Sequence, residues 1–219
     1  MGVPSGFEVV ARGEAPPLHD EEIHLWHTRS VAAAHARAHA RATLHALLGA
    51  YIGTPDIEFG SGVHGKPYAH AVGGIEFNLS HAGEDIVIAF ARGQALGVDI
   101  ERWQRRAVSP DVAQRFFCAS EAAALDKLPE ARRQMAFLRL WTHKEAVLKA
   151  IGGGLSFGLA RLEFALDADG DVLGLRDIAG EAGAAADWRL HPFALDARLV
   201  GCLAWHGATR RVRTVAWAS

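Results

Sequence analysis

Apolar positions recur along this chain with two periods, and the switches between them predict its elements. Residues 23–26 form a short apolar run that predicts a strand. Residues 29–50, rich in Ala and Leu, predict a long helix that stops at Gly49 or Gly53. Strands are expected at 57–59, 75–79 and 85–91. Arg92-Gly93-Gln94 then turns the last of these into 95–101, as a β-hairpin. Ser109-Pro110 opens a helix that runs to about 117, and Ser120-Glu121 opens another. Over 130–151 the helical period is strong, with Met135, Leu138, Trp141, Leu148 and Ile151 near one stripe and glycines 152–154 as the stop. Further strands are expected at 162–166, 172–175, 188–190 and 199–205, with a turn at 167–170. Residues 1–22 and 60–67, punctuated by proline and glycine, read as irregular.

The two halves echo each other. A long helix ending in glycine leads to Asp56-Ile57-Glu58-Phe59 in the first, and another leads to Arg161-Leu162-Glu163-Phe164 in the second. The expectation is an α+β fold of two similar lobes related by a pseudo-twofold. Each lobe would be a small, mainly antiparallel sheet packed on a long helix. The lobes would cover 1–105 and 106–219, with a ligand cleft between them.

Composition narrows the setting. Half of the 219 residues are hydrophobic, enough for a sizeable core. The formal net charge of −2 supplies no field to steer the protein to a nucleic acid. Two cysteines, Cys118 and Cys202, make neither a disulfide framework nor a zinc site, which points to a reduced cytoplasmic setting. There is no basic-then-apolar leader and no apolar run of the ~18 residues that a membrane span needs, so no membrane is expected. A monomer is expected.

The chemistry concentrates in two segments. Gly97-Val98-Asp99-Ile100-Glu101 sets two carboxylates two apart on a strand, so both face one way. In Trp141-Thr142-His143-Lys144-Glu145-Ala146-Val147-Leu148-Lys149, Glu145 and Lys149 lie four apart on a helix and share a face. If these faces meet, three carboxylates and an ammonium converge, a set that suits Mg²⁺ holding a phosphate. Other candidates are weaker. His35 and His39 are four apart on a helix but lack a third ligand. Ser80 and His81 are adjacent and have no Gly-x-Ser-x-Gly elbow, which argues against a serine hydrolase. Arg102, Arg105 and Arg106 form a basic cluster that is either a docking patch or a solvated loop.

Phe77-Asn78-Leu79-Ser80-His81, the Gly97–Glu101 segment and Trp141-x-x-Lys144-Glu145-Ala146-x-x-Lys149 resemble the three signature segments of 4′-phosphopantetheinyl transferases of the surfactin-synthetase-activator type. Gly65-Lys66-Pro67 and Arg115-Phe116-Phe117 with Glu121 match further family motifs, and the order agrees over about 44–155. The resemblance implies transfer of the phosphopantetheine arm of coenzyme A to a serine of an apo acyl- or peptidyl-carrier protein, with Mg²⁺. Adenosine 3′,5′-bisphosphate would leave.

By the same resemblance Asp99, Glu101 and Glu145 would be the metal ligands. Glu145 or Glu101 would take the serine proton, and Lys149 would offset charge on the pyrophosphate. Lys66, Ser80, His81, Lys149 and Arg41 would hold coenzyme A. Lys144, on another helical azimuth, is expected to be structural or solvated, and Trp141 to sit in the core. The chain departs from the family in lacking a basic pair upstream of the first helix, where Arg29 or Arg37 are the candidate substitutes. Two rival readings are a non-catalytic carrier- or coenzyme-binding module and a Mg²⁺-dependent phosphodiesterase.

Overall fold

The computed structural model describes residues 4–61, 67–69, 74–103, 110–153, 157–180 and 182–218. Lys66, Arg105 and Arg106 lie outside the described residues. In chain order, β1 (Glu8–Val10), β2 (Glu22–Arg29) and helix α1 (Ala36–Ile52) come first. They are followed by β3 (Phe59–Ser61), β4 (Pro67–Ala69), β5 (Ile75–Ala82), β6 (Asp85–Arg92) and β7 (Leu96–Arg102). Helices α2 (Pro110–Phe116), α3 (Ala119–Asp126) and α4 (Glu130–Ile151) then precede β8 (Leu162–Leu166), β9 (Val172–Ile178), β10 (Trp188–Asp196), β11 (Leu199–His206) and β12 (Arg211–Trp217). The architecture is a mixed α+β one.

Two sheets organise it. The larger has the order β1-β12-β2-β6-β5, and the smaller has the order β10-β11-β7. In the larger sheet β12 runs parallel to both β1 and β2, while β2, β6 and β5 pair antiparallel. The smaller sheet is antiparallel throughout.

β6 reads as an unbroken apolar run because both of its faces are buried. Ile86, Ile88 and Phe90 join Trp26 and α1 residues Leu44, Leu47 and Leu48 in one core. Val87, Ala89 and Ala91 face the other way, against Val98 and Ile100 of β7 and Leu199, Leu203 and Trp205 of β11. The two sheets therefore share a dry seam. A third core surrounds α4, with Phe117, Phe137, Leu140, Val147, Leu148, Leu162 and Phe164.

Both long helices stop where the sequence places glycine in a left-handed conformation. Gly53 has φ 75° after α1, and Gly152 has φ 77° after α4. Side chains with a Cβ are strained there, so the helices end cleanly.

Several expectations change. β6 and β7 do not form a hairpin: β6 already has β2 and β5 on its two edges, so the chain crosses to the second sheet and pairs β7 with β11. Helix α4 buries far more than one stripe, including Thr142, His143 and Lys144, because sheet, α3 and β8 pack around it. β1 lies in the stretch read as irregular, and β12 fell beyond the expected strands. In β12 burial rises along the strand from the exposed Arg211 to the adjacent buried pair Val215 and Ala216, so no period-two alternation marked it in the sequence. β5 runs on to Ala82, which puts Ser80 and His81 within the strand rather than at its end. Among the described helices none is long and apolar enough to cross a membrane.

Candidate active site at the β7–α4 seam

The alternation of β7 divides its residues between two environments. Leu96, Val98 and Ile100 enter the seam between the sheets. Gly97, Asp99 and Glu101 face α4. Gly97 lets the helix come close: a Cβ there would lie 2.8 Å from the Lys149 Cβ and would overlap the Ala146 carbonyl oxygen and the Ala150 nitrogen. No other residue type leaves that room.

The close approach brings Lys149 to the strand. Its Nζ donates to Asp99 Oδ1 at 2.7 Å and to the Val98 carbonyl at 3.0 Å. From the other side, Ser80 Oγ donates to the same Asp99 Oδ1 at 2.9 Å. Among the described residues β7 has a strand neighbour, β11, on one edge only. Side chains satisfy the second edge. Asn78 Oδ1 accepts from the Val98 amide at 2.9 Å, and Ser80 Oγ accepts from the Ile100 amide at 3.4 Å. An unpaired edge is thereby closed without a further strand. Asn78 drew no role from sequence reasoning, yet its spacing of two from Ser80 places both on one face of β5.

Electrostatics mark the cluster as short of positive charge. Burial pushes the Glu101 carboxyl up to about 7, with the charges of Asp99 and Glu145 adding to it and Lys149 opposing. Burial, then Asp99, also raises Glu145 above the usual carboxylate range. Asp99 Oδ2 is buried and has no hydrogen-bond partner among the described residues. One ammonium thus serves three acidic groups. Such a set fits a divalent cation, whose hard charge takes carboxylate oxygens. Among the described residues no three acidic, His or Cys side chains already close around a metal position.

Other expected residues are placed differently from one another. Ser80 is buried, and its hydroxyl is committed to Asp99 rather than open to a phosphate. His81 is exposed on the opposite face of β5, and Arg41 is exposed on α1. Trp141 packs with Phe137 and Phe117 beside the third core, as expected. Lys144 is fully buried: it pairs with Glu121 at 2.7 Å and donates to the carbonyls of Leu159 and Leu162. It also lies 5.0 Å from the Phe117 ring centre. Glu121 accepts in addition from the Phe164 amide at 2.8 Å and the Cys118 amide at 3.0 Å. Lys144 is therefore structural, and not solvated. Arg102 is no free cation either; it pairs with Asp85 and Asp196. His39 donates or accepts at Thr28 and shares no metal position with His35 among the described residues. Cys118 and Cys202 are free thiols.

Residues 95–199, from the start of β7 to the start of β11, match the 4′-phosphopantetheinyl transferase superfamily. This segment is thus similar to that superfamily over a little under half of the chain. It carries Asp99, Glu101, Glu145 and Lys149 together. The 4′-phosphopantetheinyl transferase Sfp of Bacillus subtilis (strain 168) is 34% identical over 117 residues, 53% of this chain and 51% of that protein. The 4′-phosphopantetheinyl transferase psf-1 of Bacillus pumilus is 36% identical over 109 residues, 50% of this chain and 46% of that protein. HetI of Nostoc sp., a 4′-phosphopantetheinyl transferase, is 35% identical over 121 residues, 53% of this chain and 51% of that protein. The chain spans about half the length of the curated relatives it matches.

Proposed function

We propose that this protein moves the 4′-phosphopantetheine arm of coenzyme A to a serine of an apo acyl- or peptidyl-carrier protein. The observation that carries the reading is the meeting of Lys149 with Asp99, beside Glu101 and Glu145, within the superfamily segment. In the reaction the serine oxygen bonds to the β-phosphorus, and the bond from that phosphorus to the bridging oxygen breaks. Adenosine 3′,5′-bisphosphate leaves with the electron pair, and the serine proton passes to a carboxylate.

Asp99, Glu101 and Glu145 are the residues that would hold Mg²⁺. When bound, the ion supplies Lewis-acid neutralisation of pyrophosphate oxygens. Lys149 holds the Asp99 carboxylate aimed through its hydrogen bond, and its ammonium offsets charge on the leaving group. Glu101 or Glu145 would take the serine proton as its bond to phosphorus forms. Lys66, Ser80, His81 and Arg41 are proposed to contact coenzyme A, Ser80 after its hydrogen bond to Asp99 yields. We also propose a cytoplasmic monomer of two pseudo-twofold lobes, 1–105 and 106–219, that exchange strands: β12 lies between β1 and β2 in the first sheet, and β7 pairs with β11 in the second.

The test incubates the protein with apo carrier, coenzyme A and Mg²⁺ and weighs the carrier by mass spectrometry. The reading expects a gain of one phosphopantetheine arm on the carrier serine and release of adenosine 3′,5′-bisphosphate. Cleavage of coenzyme A without carrier would favour a phosphodiesterase. Coenzyme A binding with no mass gain under any metal condition would favour a binding module.

A further inference from the structure

Beside the acidic cluster lies a second constellation of charges that neither the proposed metal set nor the coenzyme contacts use. Asp85, at the start of β6, is 5% exposed and gathers three basic side chains. His27 Nε2 lies 2.9 Å from Asp85 Oδ1, Arg29 Nε lies 3.4 Å from the same oxygen, and an Arg102 guanidinium nitrogen lies 2.5 Å from Oδ2. Arg102 also reaches Asp196, at the end of β10, at 3.2 Å. One carboxylate therefore joins β2, β6 and β7, and Arg102 carries the tie on to β10.

The position of this knot matters because Arg102 follows Glu101. Alternation along β7 sends Leu96, Val98 and Ile100 into the apolar seam, and Arg102 is the next member of that row. Glu101 points the other way, toward Asp99 and Glu145, whose charges repel it. The side-chain bonds that close the free edge of β7 act at Val98 and Ile100, short of Glu101. Beyond them, the end of the strand is held by β11, by the Trp103 amide donating to the Arg198 carbonyl at 2.6 Å, and by the Arg102 pairs. Burial of Asp85 in low dielectric makes its pair with Arg102 stronger than a solvent-exposed one.

We infer that Asp85 and Arg102 form an ionic anchor that holds the Glu101 carboxylate in register with Asp99 and Glu145. Both are positioning residues. They act on the proposed metal site through the β7 backbone and touch no substrate. The inference rests on the metal-binding part of the proposed function.

The experiment compares the wild-type protein with Arg102→Met, Asp85→Asn, the double variant and Arg102→Lys. Mn²⁺ affinity is read by electron paramagnetic resonance with coenzyme A present, together with KM for the carrier and amide hydrogen exchange along β7. Each single variant is expected to weaken Mn²⁺ about five- to tenfold and to speed exchange at the Glu101 end of β7. The carrier KM should stay within twofold. The double variant should be no worse than the worse single, because both changes break one tie. Arg102→Lys, which keeps the charge, should recover most of the affinity and covers the case in which Asp85→Asn fails to fold. Mn²⁺ affinity within twofold of wild type in Arg102→Met, or effects that multiply in the double variant, would overturn the anchor. A higher carrier KM in Arg102→Met alone would overturn it too, in favour of docking. Absence of Mn²⁺ binding by the wild-type protein instead sinks the metal reading, and unchanged hydrogen exchange in Arg102→Met then still rejects the anchor on its own.

Discussion

Gly97 and Lys149 touch across the strand–helix seam so closely that a single methyl group on Gly97 would sit 2.8 Å from the lysine Cβ. The same methyl would overlap the Ala146 carbonyl oxygen, which is helix backbone and cannot turn aside. Gly97→Ala must therefore push α4 away from β7. Overpacking of this kind costs roughly 1–3 kcal/mol. For a chain of this size that corresponds to a fall of about 2–12 °C in melting temperature. The Lys149–Asp99 bond should lengthen as well, so transfer activity should fall by more than the folded fraction does. Calorimetry beside an initial-rate assay separates the two, and a fully active Gly97→Ala would refute the close-packing account.

Removing the ammonium isolates its electrostatic task. Lys149→Met keeps the length of the side chain and leaves Asp99, Glu101 and Glu145 without their shared cation. Loss of one aligned charge in an active site costs on the order of 10²–10³ in rate. The expected result is a fall of that size in kcat for arm transfer, with the carrier KM little changed. A kcat within tenfold of wild type would remove Lys149 from the chemistry.

The Lys144–Glu121 pair carries a different prediction, about stability. Both side chains are fully buried, and deleting one partner strands the other charge. Lys144→Met alone should cost about 3–5 kcal/mol in denaturant unfolding. Adding Glu121→Gln, which removes the stranded charge and keeps an oxygen for the Phe164 amide, should recover part of that loss. A double variant as unstable as the two single losses summed would show that the charges do not work as a pair.

His24 should set part of the acid limit. It is wholly buried in β2, and burial holds its pKa down to about 4. Trp26 Nε1 donates to the Tyr51 hydroxyl at 2.7 Å, which leaves that hydroxyl to donate to Nδ1 of a neutral His24 at 2.7 Å. The unfolded imidazole takes its proton near 6.5, before the folded one does. Stability from this residue is thus complete above about 6.5 and is lost as pH falls toward about 4, up to about 3 kcal/mol. Unfolding free energies of wild type and His24→Leu between pH 7 and 4 test this: the variant should show the shallower slope.

Much of the site was readable before the fold because its spacing is local. Asp99 and Glu101 share a face by the two-residue period of a strand, and Glu145 and Lys149 share one by the turn of a helix. Their meeting was a conditional step, and the Lys149–Asp99 bond joins one residue of each pair. Partners set by non-local packing were hidden. Lys144 stayed open between a structural and a solvated role because its partner, Glu121, lies on another helix, and Arg102 between a docking patch and a solvated loop because Asp85 and Asp196 come from other strands. The β6–β7 hairpin failed for a related reason. A short turn suggests pairing, but the edges of β6 were taken by β2, 62 residues upstream in pairing register Trp26↔Ile88, and by β5. The Gly97 contact left a trace, a lone glycine in a strand, that marks close backbone approach.

β12 lies between β1 and β2 in the larger sheet, although some 180 residues separate it from β2 along the chain. During synthesis β2 must wait, with one side bare, until residues 211–217 have left the ribosome. A nascent chain arrested before residue 211 would present a sticky ribbon to chaperones, and the seven residues of β12 would act as the clasp that ends this exposure.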